Sequence, residues 1–124
     1  MSIALTDPCP CGGESYGTCC ARFHSEEARA STVEELMRAR YSAFVAEHAD
    51  FLWKSWHPRN RPELITFDDT EWLGLEILEV VEGDSEGIVE FIARYRGGEL
   101  HERSRFLTRA RRWMYLDGEY PVQS

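Results

Sequence analysis

All four cysteines of the chain fall within one twelve-residue stretch, Cys9-Pro10-Cys11-Gly12-Gly13-Glu14-Ser15-Tyr16-Gly17-Thr18-Cys19-Cys20. Thiolates packed this closely repel one another unless a cation lies between them, and four sulfurs around a Gly-rich turn suit tetrahedral zinc. The glycines let the backbone double back without Cβ clashes. Free thiols, or disulfides in an exported protein, are the competing readings. The opening Met1-Ser2-Ile3-Ala4-Leu5-Thr6-Asp7 has neither a basic n-region nor an apolar run. That predicts no signal peptide and a cytoplasmic location, where structural disulfides are disfavoured.

The spacing is Cys-x-Cys, seven residues, then Cys-Cys, unlike finger patterns with two residues inside each pair. It resembles the SEC-C motif, a small zinc-binding element in which Cys-Pro-Cys-Gly opens a turn and a Cys-Cys or Cys-His pair closes it. The interior here is one residue shorter than the usual pattern. The resemblance implies Cys9, Cys11, Cys19 and Cys20 as the zinc ligands. His24, four residues past Cys20, is the alternative fourth donor, and Cys20 is preferred.

With 124 residues the chain can build one ordinary core plus a small appendage. We divide it into a SEC-C-like zinc-binding element over 1–25 and an α+β domain over 30–124. A hydrophobic fraction of 43% is that of a globular protein, and no apolar run is long enough to cross a bilayer. The net charge of −8 argues against wholesale nucleic-acid binding, but it is unevenly spread. Residues 63–90 carry ten acids and no Lys or Arg, whereas 93–113 carry seven arginines against Glu99 and Glu102. Neighbouring strands would pair these charges across a solvated sheet face, which is preferred over an arginine stripe for RNA.

Taken in order, residues 21–30 read as a polar connector. Thr32-Val33-Glu34-Glu35 is a capping box, and Val33, Leu36, Met37, Tyr41, Phe44 and Val45 continue one helical stripe to about residue 48. Arg40 falls inside that stripe and must meet a carboxylate or a wet cavity. Asp50 is expected to cap a short helix over 51–56, which His57-Pro58 ends. From Glu63 the pattern alternates: strands are expected at 64–67, 72–82 (with a phase slip between Ile77 and Leu78), 88–96, 99–111 and 112–116. Gly97-Gly98 supplies a hairpin turn. The strand over 99–111 puts Glu102 and Ser104 on its apolar face. Helices first and antiparallel strands after make an α+β fold with helices on one face of a curved sheet.

Several phrases, among them Leu36-Met37-Arg38-Ala39-Arg40-Tyr41-Ser42-Ala43-Phe44, Trp56-His57-Pro58, His101-Glu102-Arg103-Ser104-Arg105-Phe106 and Arg112-Trp113-Met114-Tyr115-Leu116-Asp117-Gly118, resemble the YchJ family of uncharacterised bacterial proteins. The resemblance implies a SEC-C motif followed by a cone-shaped domain similar to nuclear transport factor 2, in which helices close a bent sheet around a cavity. The residues aimed at such a cavity are Arg40, Tyr41, Trp56, His57, Arg61, Glu102, Ser104 and Trp113, with an Arg40–Glu102 contact at its polar end. Two function classes follow. One is a binding or adaptor protein whose zinc element docks on a protein or ribosomal partner and whose cavity holds at most a small ligand. The other is a small isomerase or lyase using a carboxylate or His57 as general base. The first is preferred, because zinc with four protein ligands has no open position for water.

Overall fold

A computed structural model describes residues 3–121. Three helices precede four strands: α1 (Ala21–His24), α2 (Val33–Ala46), α3 (Ala49–Lys54), β1 (Trp72–Glu82), β2 (Glu86–Tyr95), β3 (Gly98–Arg109) and β4 (Arg112–Glu119). The strands form one antiparallel sheet in the order β1-β2-β3-β4.

The long helix begins where the sequence places it. The Thr32 hydroxyl accepts from the Glu35 amide at 3.1 Å, but the Glu35 carboxylate accepts from the Ser31 amide at 2.7 Å rather than from Thr32. A further donor of the first turn, Val33 N–H, reaches Glu82 Oε1 at 2.8 Å and ties the helix start to the end of β1. Glu47, in the left-handed region at φ 56°, ends the helix. Its buried face carries Val33, Leu36, Met37, Ala39, Arg40, Tyr41, Ser42 and Ala43.

Three local expectations are corrected. The connector after the cysteines contains the one-turn α1, with Phe23 and His24 buried. α3 starts after His48, without a side-chain cap, and Asp50 lies in its first turn, bonded to Lys54 at 3.1 Å. Residues 64–67 are loop and pair with no strand of the sheet. The phase slip in β1 is a register shift between Ile77 and Glu79. Gly97, at φ 104°, turns β2 into β3, and Ala110 and Arg111, at φ 53° and 65°, turn β3 into β4.

The apolar face of β2 and β3, with Val89, Phe91, Ala93 and Phe106 almost wholly buried, packs under α2. The opposite face is charged and paired across strands. Arg94 meets Glu76 and Glu99, Arg103 meets Glu79 and Glu90, and Arg105 meets Asp117, while Arg96 meets Glu71 beyond the strand end. Among the described residues Arg109, Arg111 and Arg112 have no ion pair. The expected charge pairing therefore holds along the strands and stops at the β3–β4 turn.

Candidate metal centre and cavity

Cys9, Cys11, Cys19 and Cys20 bring their Sγ atoms within 4.8 Å of one another. Cys11 and Cys19 Sγ are 3.5 Å apart and Cys19 and Cys20 Sγ 3.9 Å. Sulfurs bound at 2.3 Å to one tetrahedral ion would be about 3.8 Å apart, so the cluster already has the size of a tetrathiolate site. Backbone turns build it: Gly12 N–H donates to Cys9 O at 2.9 Å and Cys9 N–H to Gly13 O at 3.2 Å. A Cβ on Gly13 would lie 2.7 Å from Cys19 Sγ, so this position admits only glycine without displacing a sulfur.

Electrostatics inside the cluster favour a cation. Hydrogen bonding from Cys11, then Cys20, holds the Cys9 thiol far below the ordinary range for a cysteine. Burial pushes Cys19 up to about 12, and hydrogen bonding with Cys11, then Cys9, drives Cys20 well above its usual value. Without metal the group therefore retains protons it must release to bind one, and metal loading is proton-coupled.

The cluster is joined to the rest of the molecule through α2. Ser42 Oγ lies 3.3 Å from Cys20 Sγ and 3.5 Å from Cys9 Sγ, and Arg38 Nη1 donates to Cys11 O at 2.6 Å. Cys9, Cys11 and Cys20 belong to one continuous buried cluster with Val33, Leu36, Met37, Ala39 and Tyr41. His24 is engaged elsewhere. Its Nε2 donates to Ala39 O at 2.8 Å, so in the neutral ring Nδ1 accepts the Tyr16 hydroxyl at 2.6 Å. Both ring nitrogens are occupied, whereas Cys20 Sγ lies within the sulfur cluster.

The second feature is a cavity of about 240 Å³ between α2 and the sheet, with a mainly apolar lining. Of the residues expected there, Arg40, Tyr41, Trp56, Glu102 and Ser104 line it. His57, Arg61 and Trp113 do not. His57 is held by its amide to Tyr115 O and by Nδ1 to the Arg59 amide. Arg61 stacks 4.0 Å above Trp53 and donates to Trp56 O, and Trp113 borders a separate cleft beside Phe23 and His24. The sequence reading missed Phe44, Trp72, Leu100, Tyr115 and Tyr120 as lining residues. Phe44 and Leu100 were recoverable, being one helical turn past Arg40 and two residues before Glu102. Trp72 and Tyr120, at strand ends, carry no periodic signal.

The expected Arg40–Glu102 contact is replaced by an arrangement through Tyr115. Arg40 is 3% exposed; its Nη1 donates to Leu52 O at 3.0 Å and Ser55 Oγ at 2.6 Å, and no ion pair joins it to Glu102. Burial lowers its pKa to about 10. Its guanidinium carbon lies 4.5 Å from the Tyr115 ring centroid and 5.2 Å from that of Trp56. Glu102 Oε2 accepts from Ser104 Oγ at 2.6 Å and from the Tyr115 hydroxyl at 3.0 Å. Burial, then the Glu102 charge, pushes the Tyr115 phenol up beyond its ordinary value, so it remains a donor.

The sequence profile described as YchJ, middle NTF2-like domain, matches residues 32–118. A UPF0225 protein of Streptomyces coelicolor is 52% identical over 120 residues, covering 93% of this chain and 97% of the relative. One from Cupriavidus metallidurans is 44% identical, covering 90% and 88%. The solution structure of a SEC-C motif containing protein from Rhodopseudomonas palustris superposes with a TM-score of 0.82 at 34% identity, covering 94% of this chain and all of that one. With a cysteine cluster of SEC-C type preceding a helix-covered antiparallel sheet, the chain belongs to the YchJ (UPF0225) family of NTF2-like proteins.

Proposed function

We propose that this is a non-enzymatic binding or adaptor protein of the cytoplasm, in which zinc held by Cys9, Cys11, Cys19 and Cys20 is structural. The observation that carries the reading is the cluster itself: four sulfurs at tetrathiolate spacing, three of them buried, leave no coordination site for a substrate or a reactive water. Zinc would supply folding free energy here and fix the surface around the cysteine cluster, which docks on a protein or ribosomal partner. The cavity is a binding site for a small ligand. Nucleic acid is not the expected partner, because the strand arginines away from the β3–β4 turn are already paired. The test is a pull-down with purified zinc-loaded protein against a Cys9→Ser/Cys11→Ser variant: a partner retained by the first and lost by the second supports docking through the zinc element, and equal retention rejects it.

One observation favours the enzymatic alternative. Glu102 presents a carboxylate to an apolar cavity, the setting of a general base in an isomerase or lyase. His57 has no part in that version, since it lies outside the cavity.

A further inference from the structure

Arg40 is buried and lines the cavity, yet only its Nη1 has acceptors among the described residues. Trp56 Nε1 is the one fully sealed side-chain nitrogen or oxygen without a hydrogen-bond partner among those residues. The open Nε and Nη2 of Arg40 therefore touch space that a water-sized molecule can reach, and the cavity is the space this residue lines. Nε and Nη2 together form one edge of the guanidinium fork, the geometry that takes a carboxylate through two parallel hydrogen bonds.

Glu102 is incomplete in the complementary sense. Ser104 and Tyr115 both donate to Oε2, and Oε1 has no donor among the described residues. The two hydrogen bonds on Oε2 hold the carboxylate in place, and it packs against Gly118, where a Cβ would come within 2.6 Å of its Cδ. Tyr115 stands between the two charges, its ring under the guanidinium and its hydroxyl on the carboxylate. An unpaired fork and an unpaired carboxylate oxygen thus border one apolar chamber, walled by Tyr41, Phe44, Trp72 and Leu100.

We propose that the cavity binds an apolar carboxylic acid bearing a hydrogen-bond donor next to the acid group, of the 2-hydroxy or 2-amino acid class. The ligand carboxylate takes the Nε–Nη2 edge of Arg40, its hydroxyl or amino group donates to Glu102 Oε1, and its hydrocarbon body fills the aromatic chamber. A neutral apolar molecule would leave both groups unmatched, at the full cost of desolvating them. A simple fatty or aryl acid would satisfy the arginine but leave Glu102 Oε1 without a donor. The inference rests on reading the cavity as a binding site.

A matched set of probes tests it: 3-phenyllactate, phenylalanine, 3-phenylpropanoate (no donor) and 2-phenylethanol (no acid), titrated against zinc-loaded protein by tryptophan fluorescence, since Trp56 and Trp72 line the cavity. Phenyllactate or phenylalanine is expected to bind about ten-fold or more tightly than the other two, the ratio that one hydrogen bond to a charged group supplies. Arg40→Lys keeps the charge and loses the fork, and should lose that binding. In Glu102→Gln the amide oxygen is expected to take over the Ser104 and Tyr115 bonds, turning a donor toward the ligand, so the preference for phenylalanine, whose ammonium can only donate, over 3-phenylpropanoate should vanish. Equal binding of all four probes, or unchanged selectivity in both variants, overturns the ligand class and leaves the cavity a binding site. No binding of any probe at millimolar concentration overturns both.

Discussion

The guanidinium of Arg40 sits 4.5 Å above the ring of Tyr115, whose hydroxyl donates to Glu102 at 3.0 Å. The buried cation and buried anion of this fold are therefore joined through an aromatic ring rather than by a direct pair. Each keeps hydrogen bonds of its own, Arg40 to Leu52 O and Ser55 and Glu102 to Ser104.

That arrangement sets the cost of removing one charge. Breaking a direct buried ion pair costs about 3–5 kcal/mol, because the survivor is left uncompensated. Here Glu102→Gln should cost about 1 kcal/mol or less in chemical denaturation, since Arg40 keeps two acceptors, two aromatic faces and access to cavity water. A loss of about 3 kcal/mol or more would mean the two charges act as a salt bridge.

Gly118→Ala should do more damage than its size suggests. Its Cβ would fall 2.6 Å from Glu102 Cδ, so either the carboxylate leaves Tyr115 and Ser104 or the strands separate. A destabilisation of about 1–3 kcal/mol is expected, as for other overpacked sites. Wild-type stability in the same denaturation assay would contradict the packing.

His24 predicts a pH dependence. Burial, its largest influence, depresses the folded-state pKa below the ordinary 6.5, so the unfolded chain binds the proton more readily. Stability from this residue is complete above that ordinary value and falls as pH drops below it. Denaturation midpoints of wild type and His24→Gln, compared between neutral pH and about pH 5.5, should show the steeper loss in wild type. Parallel curves would show that His24 does not charge on unfolding.

Local signals made much of the fold readable in advance. The Thr32 cap, the stripe from Val33 to Tyr41, the slip after Ile77 and the Gly97 turn are all short-range features, and each appears where its residues place it, whereas Phe44, expected to continue the stripe, is exposed. The cysteines were equally legible, because four thiols in one short loop have few uses. What was hidden depends on docking. Nothing in residues 21–30 says that His24 is buried between Tyr16 and Ala39, and no periodicity reveals that Tyr115 stands between Arg40 and Glu102. His57, Arg61 and Trp113, expected at the cavity, are drawn off by docking: His57 bonds to the Tyr115 carbonyl, Arg61 stacks on Trp53, and Trp113 borders the cleft beside Phe23 and His24.

The remaining arginines give a prediction of a different kind. Arg109, Arg111 and Arg112 cluster at the β3–β4 turn of an acidic chain. Single-stranded RNA should bind only weakly and be released at moderate salt, the behaviour of a few unscreened charges. Tight binding with a shallow salt dependence would instead make this turn a recognition surface.

The metal site carries the account, and X-ray absorption at the zinc edge tests it most directly. One zinc per chain is expected, with four sulfur scatterers at about 2.3 Å and no imidazole signal, since His24 is held by Tyr16 and Ala39. A shell containing nitrogen or oxygen, or purified reduced protein with far less than one equivalent of zinc, would contradict a structural tetrathiolate centre.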